Sequence, residues 1–581
     1  MSFQERVAFI WSLADLLRGD YKDAEYAKVI LPFTVLRRLD CALGGGSLGK
    51  LKEGRDDFDA SASDVVECFE LRDQIPRLHQ AGLLNPLIER FSQIDLHPGA
   101  VSNHEMGSIF EELIRRFSEQ SGASAGEHFT PREVIRLMVD LLFDQAGGDG
   151  PLTLYDPACG TGGMLSVAED ALRERNANVR LEVFGQELNR ESYAICKADV
   201  LMRGGNPDHI HIGNTFLHDA FDGRRFDYML SNPPFGVEWK KAESVVRDEH
   251  QRLGFAGRFG AGLPRVNDGS LLFLQHMLAK MKPEGSRLAV VFNGSPLFAG
   301  DAGSGESDIR RWVLENDWLE AIVALPDQLF YNTGLSTYIW ILTNRKSAPR
   351  KDRVQLIDAT GFSCKMQRSL GAKRNELSPE HIRDIVCLHT NFQDGPHSRI
   401  VNKEDFLYRR IIVERPLRLN FQVSPERVGS LDTATAAILD GMDAAVCKDQ
   451  SAFEQALATQ FRDTGVKLGR VLKNRILHAL GERDPEADAF RGPGGKLEAD
   501  PELRDSENVP WGEDIAEWFA REVLPHAPDA WIDDARTRTG CEIPFTRIFY
   551  QPQPLRDLAE IDAEIKTLDS EIRCLLERLQ Q

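Results

Sequence analysis

The middle of this 581-residue chain predicts an α/β fold, a mostly parallel sheet wrapped by helices, with helical segments before and after it. Three observations carry that expectation. Short apolar runs alternate with helical stretches at Leu152–Tyr155, Leu181–Gly185, His209–Ile212, Phe226–Leu230, Leu288–Phe292, Leu319–Ala324 and Thr337–Leu342. Before residue 120 the apolar residues recur at helical spacing instead: Val7, Ile10, Leu13 and Leu17, then Val29, Phe33, Leu36 and Leu39. At the far end, Leu558, Ile561, Ile565, Leu568, Ile572, Leu575 and Leu579 alternate steps of three and four, a coiled-coil seam.

Taken in order, residues 4–120 read as helices, broken at Gly44-Gly45-Gly46. Gly44, Gly49 and Lys50 nearly spell a phosphate loop, but Leu51 replaces the magnesium-binding hydroxyl and a helix, not a strand, precedes it. A nucleotide site there is not expected. Thr130-Pro131-Arg132-Glu133 predicts a helix start with a capping box and Pro at the first helical position. The last two strand-like runs flank Leu325–Ser336, which predicts an antiparallel hairpin at one edge of the sheet. Gly300–Gly305 reads as a flexible loop, 430–480 as helical again, and 481–508, polar and acidic, as a flexible insertion. The expected domains are therefore 1–122 (helical), 123–425 (α/β), 426–554 (helical with the insertion) and 555–581 (coiled-coil helix). An apolar stripe as regular as the last one needs a partner helix, in this chain or another, with packing against the chain's own core as the competing reading.

Composition narrows the function. The net charge is −20, whereas a protein that grips DNA alone is usually basic, because phosphate neutralisation supplies much of its affinity. Local basic clusters exist at Arg345, Lys346, Arg350, Lys351 and Arg353, and at Arg409, Arg410, Arg415 and Arg418; a solvated surface is the competing reading for each. The nine cysteines include no CxxC pair, which argues against zinc and a disulfide framework, so no metal site is expected. No long apolar run and no signal-peptide pattern is present, so a cytoplasmic protein with no membrane contact is expected.

The chemistry-bearing segments follow two of the strands. Asp156-Pro157-Ala158-Cys159-Gly160-Thr161-Gly162-Gly163 is a glycine-rich turn opening a helix, which lets backbone approach a nucleotide-like ligand. The next strand ends at Glu187, an acid placed to accept both hydroxyls of a ribose. The loop lacks GxGxxG spacing and no second phosphate cradle is evident, which disfavours NAD. Later, Asn232-Pro233-Pro234-Phe235 ends another strand. The Asn232 side-chain oxygen and the Pro233 carbonyl would accept hydrogen bonds from an exocyclic amino group, and Phe235 would stack on its ring. Two prolines leave little backbone to order when the base arrives. Together the segments describe a site holding a flat, amino-bearing group against S-adenosylmethionine, in a Rossmann-like, seven-stranded methyltransferase domain.

These residues resemble the amino-methyltransferases, and the wider chain resembles the modification (methylase) subunits of type I restriction–modification systems. The resemblance rests on Glu127-His128-Phe129-Thr130-Pro131-Arg132, on 156–163 and 232–235, and on Leu325, Pro326, Phe330, Thr333 and Gly334; Arg409–Asn420 and Glu542–Tyr550 also look like family segments. It implies N6-adenine methylation of double-stranded DNA with S-adenosylmethionine, the cofactor contacts coming from Glu127 to Arg132, Thr161 to Gly163 and Glu187. It also implies a separate specificity subunit that reads the sequence, two modification subunits for each, and a restriction subunit that joins them. The C-terminal helix would then pack on the specificity subunit. Gly213-Asn214-Thr215 carries Asn where many amino-methyltransferases have Asp near the cofactor's adenine, which leaves the role of Asn214 open. A target adenine must leave the duplex to reach such a pocket. Three other readings compete: a self-sufficient methyltransferase reading its target with residues 400–555, a protein-glutamine methyltransferase, and a non-catalytic scaffold.

Overall fold

Nine strands form the central sheet: β1 (Leu152–Asp156), β2 (Leu181–Glu187), β3 (Ile210–Ile212), β4 (Tyr228–Ser231), β5 (Arg287–Asn293), β6 (Leu319–Ala324), β7 (Thr337–Thr343), β8 (Arg353–Asp358) and β9 (Ser398–Asn402). They lie in the order β9-β8-β6-β7-β5-β4-β1-β2-β3. In the computed structural model the described residues are 2–43, 46–53, 60–121, 130–143, 151–175, 179–330, 334–370, 372–492, 495–550 and 557–579. β1 pairs in parallel with both β2 and β4, so the strand order reverses beside it. In open α/β sheets the crevice beyond the strand ends at such a reversal is where ligands bind.

All seven predicted strands form. The hairpin forms too, with β7 antiparallel to both β5 and β6, but it is not at the edge. β8 adds in parallel to β6, and β9 closes antiparallel against β8. These two strands extend the expected seven to nine. β8, Arg353-Val-Gln-Leu-Ile-Asp358, mixes charge and amide into its apolar run, which hides it from a hydrophobicity reading. β6 is buried along its whole length, as a strand covered by packing on both faces must be. One face carries Ala321, Val323, Ile339 and Ile341 against the helix Arg132–Leu142; the other carries Ile322, Trp340 and Leu342.

The N-terminal helices bury Val7, Ile10, Leu13, Val29, Phe33 and Leu36 as their spacing predicts. Their core also takes in Ala194, Ile195, Ala198 and Met202 from the helix Arg190–Met202, which follows β2. The helical unit therefore packs directly on an element that leads out of the pocket. The helix Ala27–Leu43 precedes Ser47–Lys52, the wrong context for a phosphate loop; Gly44 and Gly45 lie outside the described residues.

Within 426–554 the helices expected over 430–480 form, at Thr433–Leu439, Gln450–Asp463 and Arg470–Leu480, but the rest of that region is mixed, not helical. Strand Leu407–Glu414 pairs antiparallel with Asp505–Pro510, Trp531–Ile532 and Arg538–Cys541. Gly481–Arg483 pairs with Leu419–Phe421. The stretch 481–508, expected as a flexible insertion, is thus tied into sheets at both ends. Its charges have internal partners: Arg483 on Asp500 at 2.9 Å and Arg504 on Glu414 at 2.7 Å. The basic clusters are similarly committed. Lys346 pairs with Asp317 (2.6 Å), Arg410 with Asp301 (2.9 Å), and Arg418 with Asp529 (3.0 Å).

The helix Leu558–Leu579 forms where the seam predicts it. Leu558, Ile565, Leu568 and Ile572 are 83%, 58%, 52% and 55% exposed, so these positions of the stripe are not covered by the chain's own core. Among the described residues, no helix is long and apolar enough to cross a membrane.

Candidate active site

A pocket of about 580 Å³ opens beyond the ends of β1, β2, β3 and β4, at the strand-order reversal. Its floor is the glycine-rich turn. Gly160 and Gly162 take left-handed backbone (φ +54° and +86°), and a Cβ on Gly162 would sit 2.8 Å from the Cys196 sulfur. Glycine at these positions lets the loop turn tightly into the helix Gly163–Arg175.

Side chains from neighbouring strand ends brace the turn. Glu187, 8% exposed, accepts from the Gly160 amide (2.8 Å) on one oxygen and from the Asn189 amide (2.7 Å) on the other. A carboxylate oxygen has about two lone-pair sites, so each keeps one for a hydroxyl in the pocket. Asp156 accepts from the Ala158 amide and the Ser231 hydroxyl, both at 2.9 Å, and burial pushes its carboxyl up to about 7. Thr215 donates to the Pro157 carbonyl (2.7 Å), stitching the third strand's loop to the first. Asn214 accepts from the Phe216 and Leu217 amides (2.9 and 3.2 Å), a turn cap that an Asp would make equally well.

On the opposite wall, β4 ends at Ser231 and the chain turns through the prolines. Pro233 is buried, Pro234 is exposed in the wall, and Phe235 is half-buried with its ring 6.5 Å from that of Phe330. The Asn232 Nδ2 group donates to the Thr130 hydroxyl at 2.9 Å. Its Oδ1 is buried and has no hydrogen-bond partner among the described residues. A buried acceptor left open costs free energy, so its place in a pocket wall is a sign of a ligand donor.

The predicted capping box does not form. Pro131 stands at the N-cap of Arg132–Leu142 with no side-chain cap bond. Thr130 is engaged by Asn232, and Glu133 pairs with the buried Lys373, whose ammonium also donates to the Leu329 and Asn375 carbonyls (3.2 and 3.1 Å). Both side chains that would have capped the helix serve distant partners.

Of the predicted cofactor residues, Thr130, Asp156, Gly160, Thr161, Gly163, Glu187 and Asn214 line the pocket. Gly162 lies just behind the wall, and Pro131 and Arg132 are not in it. Glu127, His128 and Phe129 lie outside the described residues, as does Thr333. Of the acceptor residues, Asn232 and Pro234 line it, while Pro233 and Phe235 do not. The sequence reading missed Phe216 and Phe273, whose rings meet at 4.5 Å in the wall. Phe273 lies in the apolar run Leu271–Leu274, where nothing distinguishes it from core. The donor set fits S-adenosylmethionine: amides and an acid for the polar parts, and aromatic rings for a purine.

Comparison with known proteins agrees with this geometry. A family model described as N-6 DNA methylase matches residues 101–407, and one described as the HsdM N-terminal domain matches residues 7–140. The chain is 30% identical to the type I restriction enzyme MjaIX methylase subunit of Methanocaldococcus jannaschii over 343 residues, 58% of each chain. It is 25% identical to the EcoKI methylase subunit of Escherichia coli over 334 residues, 54% of this chain and 58% of that one. It thus spans little more than half the length of these curated relatives. The crystal structure of a type I methyltransferase subunit from Streptococcus thermophilus shares the fold, with a TM-score of 0.56 and 20% identity over 70% of this chain and 97% of that one. A modification subunit from Vibrio vulnificus gives a TM-score of 0.50 and 19% identity over 70% and 93%. With the first model covering more than half of its length, this chain belongs to the N-6 DNA methylase family.

Proposed function

We propose that this chain is the modification subunit of a type I restriction–modification complex and methylates N6 of adenine in DNA, with S-adenosylmethionine as donor. The observation that carries the reading is the open, buried Oδ1 of Asn232 in the wall of a pocket floored by the glycine-rich turn. S-adenosylmethionine supplies the activated methyl: its sulfur–carbon bond breaks as a carbon–nitrogen bond forms, and the nitrogen sheds a proton to solvent.

The chain's own residues bind and orient. Glu187 holds the ribose hydroxyls and the amides around Gly160 to Gly163 approach the donor closely. Asn232 Oδ1 and the Pro233 carbonyl accept the two amino hydrogens, holding the nitrogen and favouring localisation of its lone pair. Phe235, half-buried beside Phe330, stacks on the extruded base. Positioning is the main contribution, and no strong general base is needed.

Sequence reading belongs in this proposal to a specificity subunit, with two modification subunits for each and a restriction subunit joining for cleavage. The acidic balance and the internally paired arginines support a borrowed grip on DNA. The exposed stripe on Leu558–Leu579 supports a helix partner in that subunit. Deleting residues from 555 onward should leave S-adenosylmethionine binding intact while abolishing co-purification with the specificity subunit. Methylation sequencing of genomic DNA with and without this gene tests the whole reading. One adenine motif should lose N6 methylation when the gene is removed. An unchanged methylome refutes the assignment, and motif methylation by the purified chain alone would favour a self-sufficient enzyme.

A further inference from the structure

We infer that Thr130 is a positioning residue for Asn232: its hydroxyl holds one end of the carboxamide so that the other end, Oδ1, stays turned to the acceptor amino group. The inference rests on the reading of Asn232 given above. Its motif pointed instead to helix capping or to the cofactor, and the structure shows no capping bond from it.

Three observations carry it. Asn232 Nδ2 donates to Thr130 Oγ1 at 2.9 Å across 102 residues of chain. The opposite end of the same amide, Oδ1, is buried and open. Thr130 itself is held in place, since it leads through the buried Pro131 into a helix with seven buried apolar residues, and Glu133 in the first turn is clamped by Lys373.

The chemistry of an amide makes this contact matter. The two ends of a carboxamide are nearly the same size, but one only accepts and the other only donates. Turned the wrong way, Asn232 would aim its NH₂ at the adenine amino group, donor against donor. A hydroxyl can accept or donate, so Thr130 does not choose the orientation alone. Once amino hydrogens occupy the pocket side, only the arrangement with Nδ2 on Thr130 satisfies both ends. Removing the hydroxyl leaves the part-buried Nδ2 without that acceptor and frees the amide to rotate.

The test compares Thr130→Val, nearly isosteric but without the hydroxyl, with Thr130→Ser and Asn232→Ala, each in the full chain within its assembled complex. S-adenosylmethionine affinity is read by calorimetry. Single-turnover methyl transfer to unmethylated host genomic DNA is read at saturating cofactor and DNA. Thr130→Val should slow transfer about 10–100-fold with cofactor affinity unchanged, the scale of one misplaced buried polar group. Thr130→Ser should recover most of the rate. Wild-type transfer in Thr130→Val beside an inactive Asn232→Ala overturns this inference and leaves the proposed function standing. So does an equal loss in the Ser variant, or a loss confined to cofactor affinity. Wild-type transfer in Asn232→Ala overturns the function reading itself.

Discussion

The two halves of the pocket are finished to different degrees. On the cofactor side the polar side chains already have partners: Glu187 on two amides, Asp156 on an amide and a hydroxyl, Asn214 on two amides. On the acceptor side Asn232 is satisfied at one end and open at the other. In the proposed function the first half is a scaffold that also binds, and the second is completed only by its substrate. Substitutions should therefore separate. Those on the cofactor side should disturb affinity and loop order together, and those at Asn232 should disturb chemistry alone.

The largest expected effect is at the open acceptor. Asn232→Ala should lower the initial rate of methyl transfer by on the order of 10² or more, as removal of a positioned polar stabiliser does. Filter-binding assays with labelled S-adenosylmethionine and DNA would measure it. Next comes Glu187→Ala, which should weaken S-adenosylmethionine by roughly 1.5–3 kcal/mol, because charge-assisted hydrogen bonds are lost. The same change strips the Gly160 and Asn189 amides of their acceptor, so hydrogen exchange around the turn should rise. If affinity holds by calorimetry, Glu187 braces the loop and does not touch the ribose.

The smallest effect is in pH dependence. Burial holds the Asp156 carboxyl up to about 7, above its unfolded value near 3.9. Between those values the folded protein binds the extra proton, so this group's contribution to stability is full below the unfolded value. It falls as pH rises to about 7 and changes little above that. Asp156→Asn, which keeps an acceptor for Ala158 and Ser231, should remove that part of the slope. Thermal melts of both proteins from pH 5 to 8 would show the difference narrowing toward low pH; parallel curves would mean Asp156 is ionised throughout.

The same contrast explains what was legible in the sequence. The strands from Leu152 to Leu342 announce themselves because strands buried on both faces are largely apolar runs, and Gly160, Gly162, Asn232 and the prolines because few residues suit such turns. β8 and β9 carry charge within short runs and do not. The stretch 481–508 reads as mobile because it is polar and acidic, whereas Asp500 answers Arg483 within the same stretch and Arg504 reaches Glu414, 90 residues away. Thr130 and Glu133 matched a local capping pattern, but tertiary partners, Asn232 and Lys373, claimed both. Phe273 is indistinguishable in sequence from the core leucines beside it. Local rules read turns well and cannot see contacts a hundred residues away.

A crossed measurement tests the division between the halves most directly: S-adenosylmethionine affinity and single-turnover transfer at saturating cofactor, each on Asn232→Ala and Glu187→Ala. The expected result is affinity kept and transfer lost in Asn232→Ala, and affinity lost with transfer largely restored by excess cofactor in Glu187→Ala. Near wild-type transfer in Asn232→Ala, or equal losses of affinity in both variants, would contradict it.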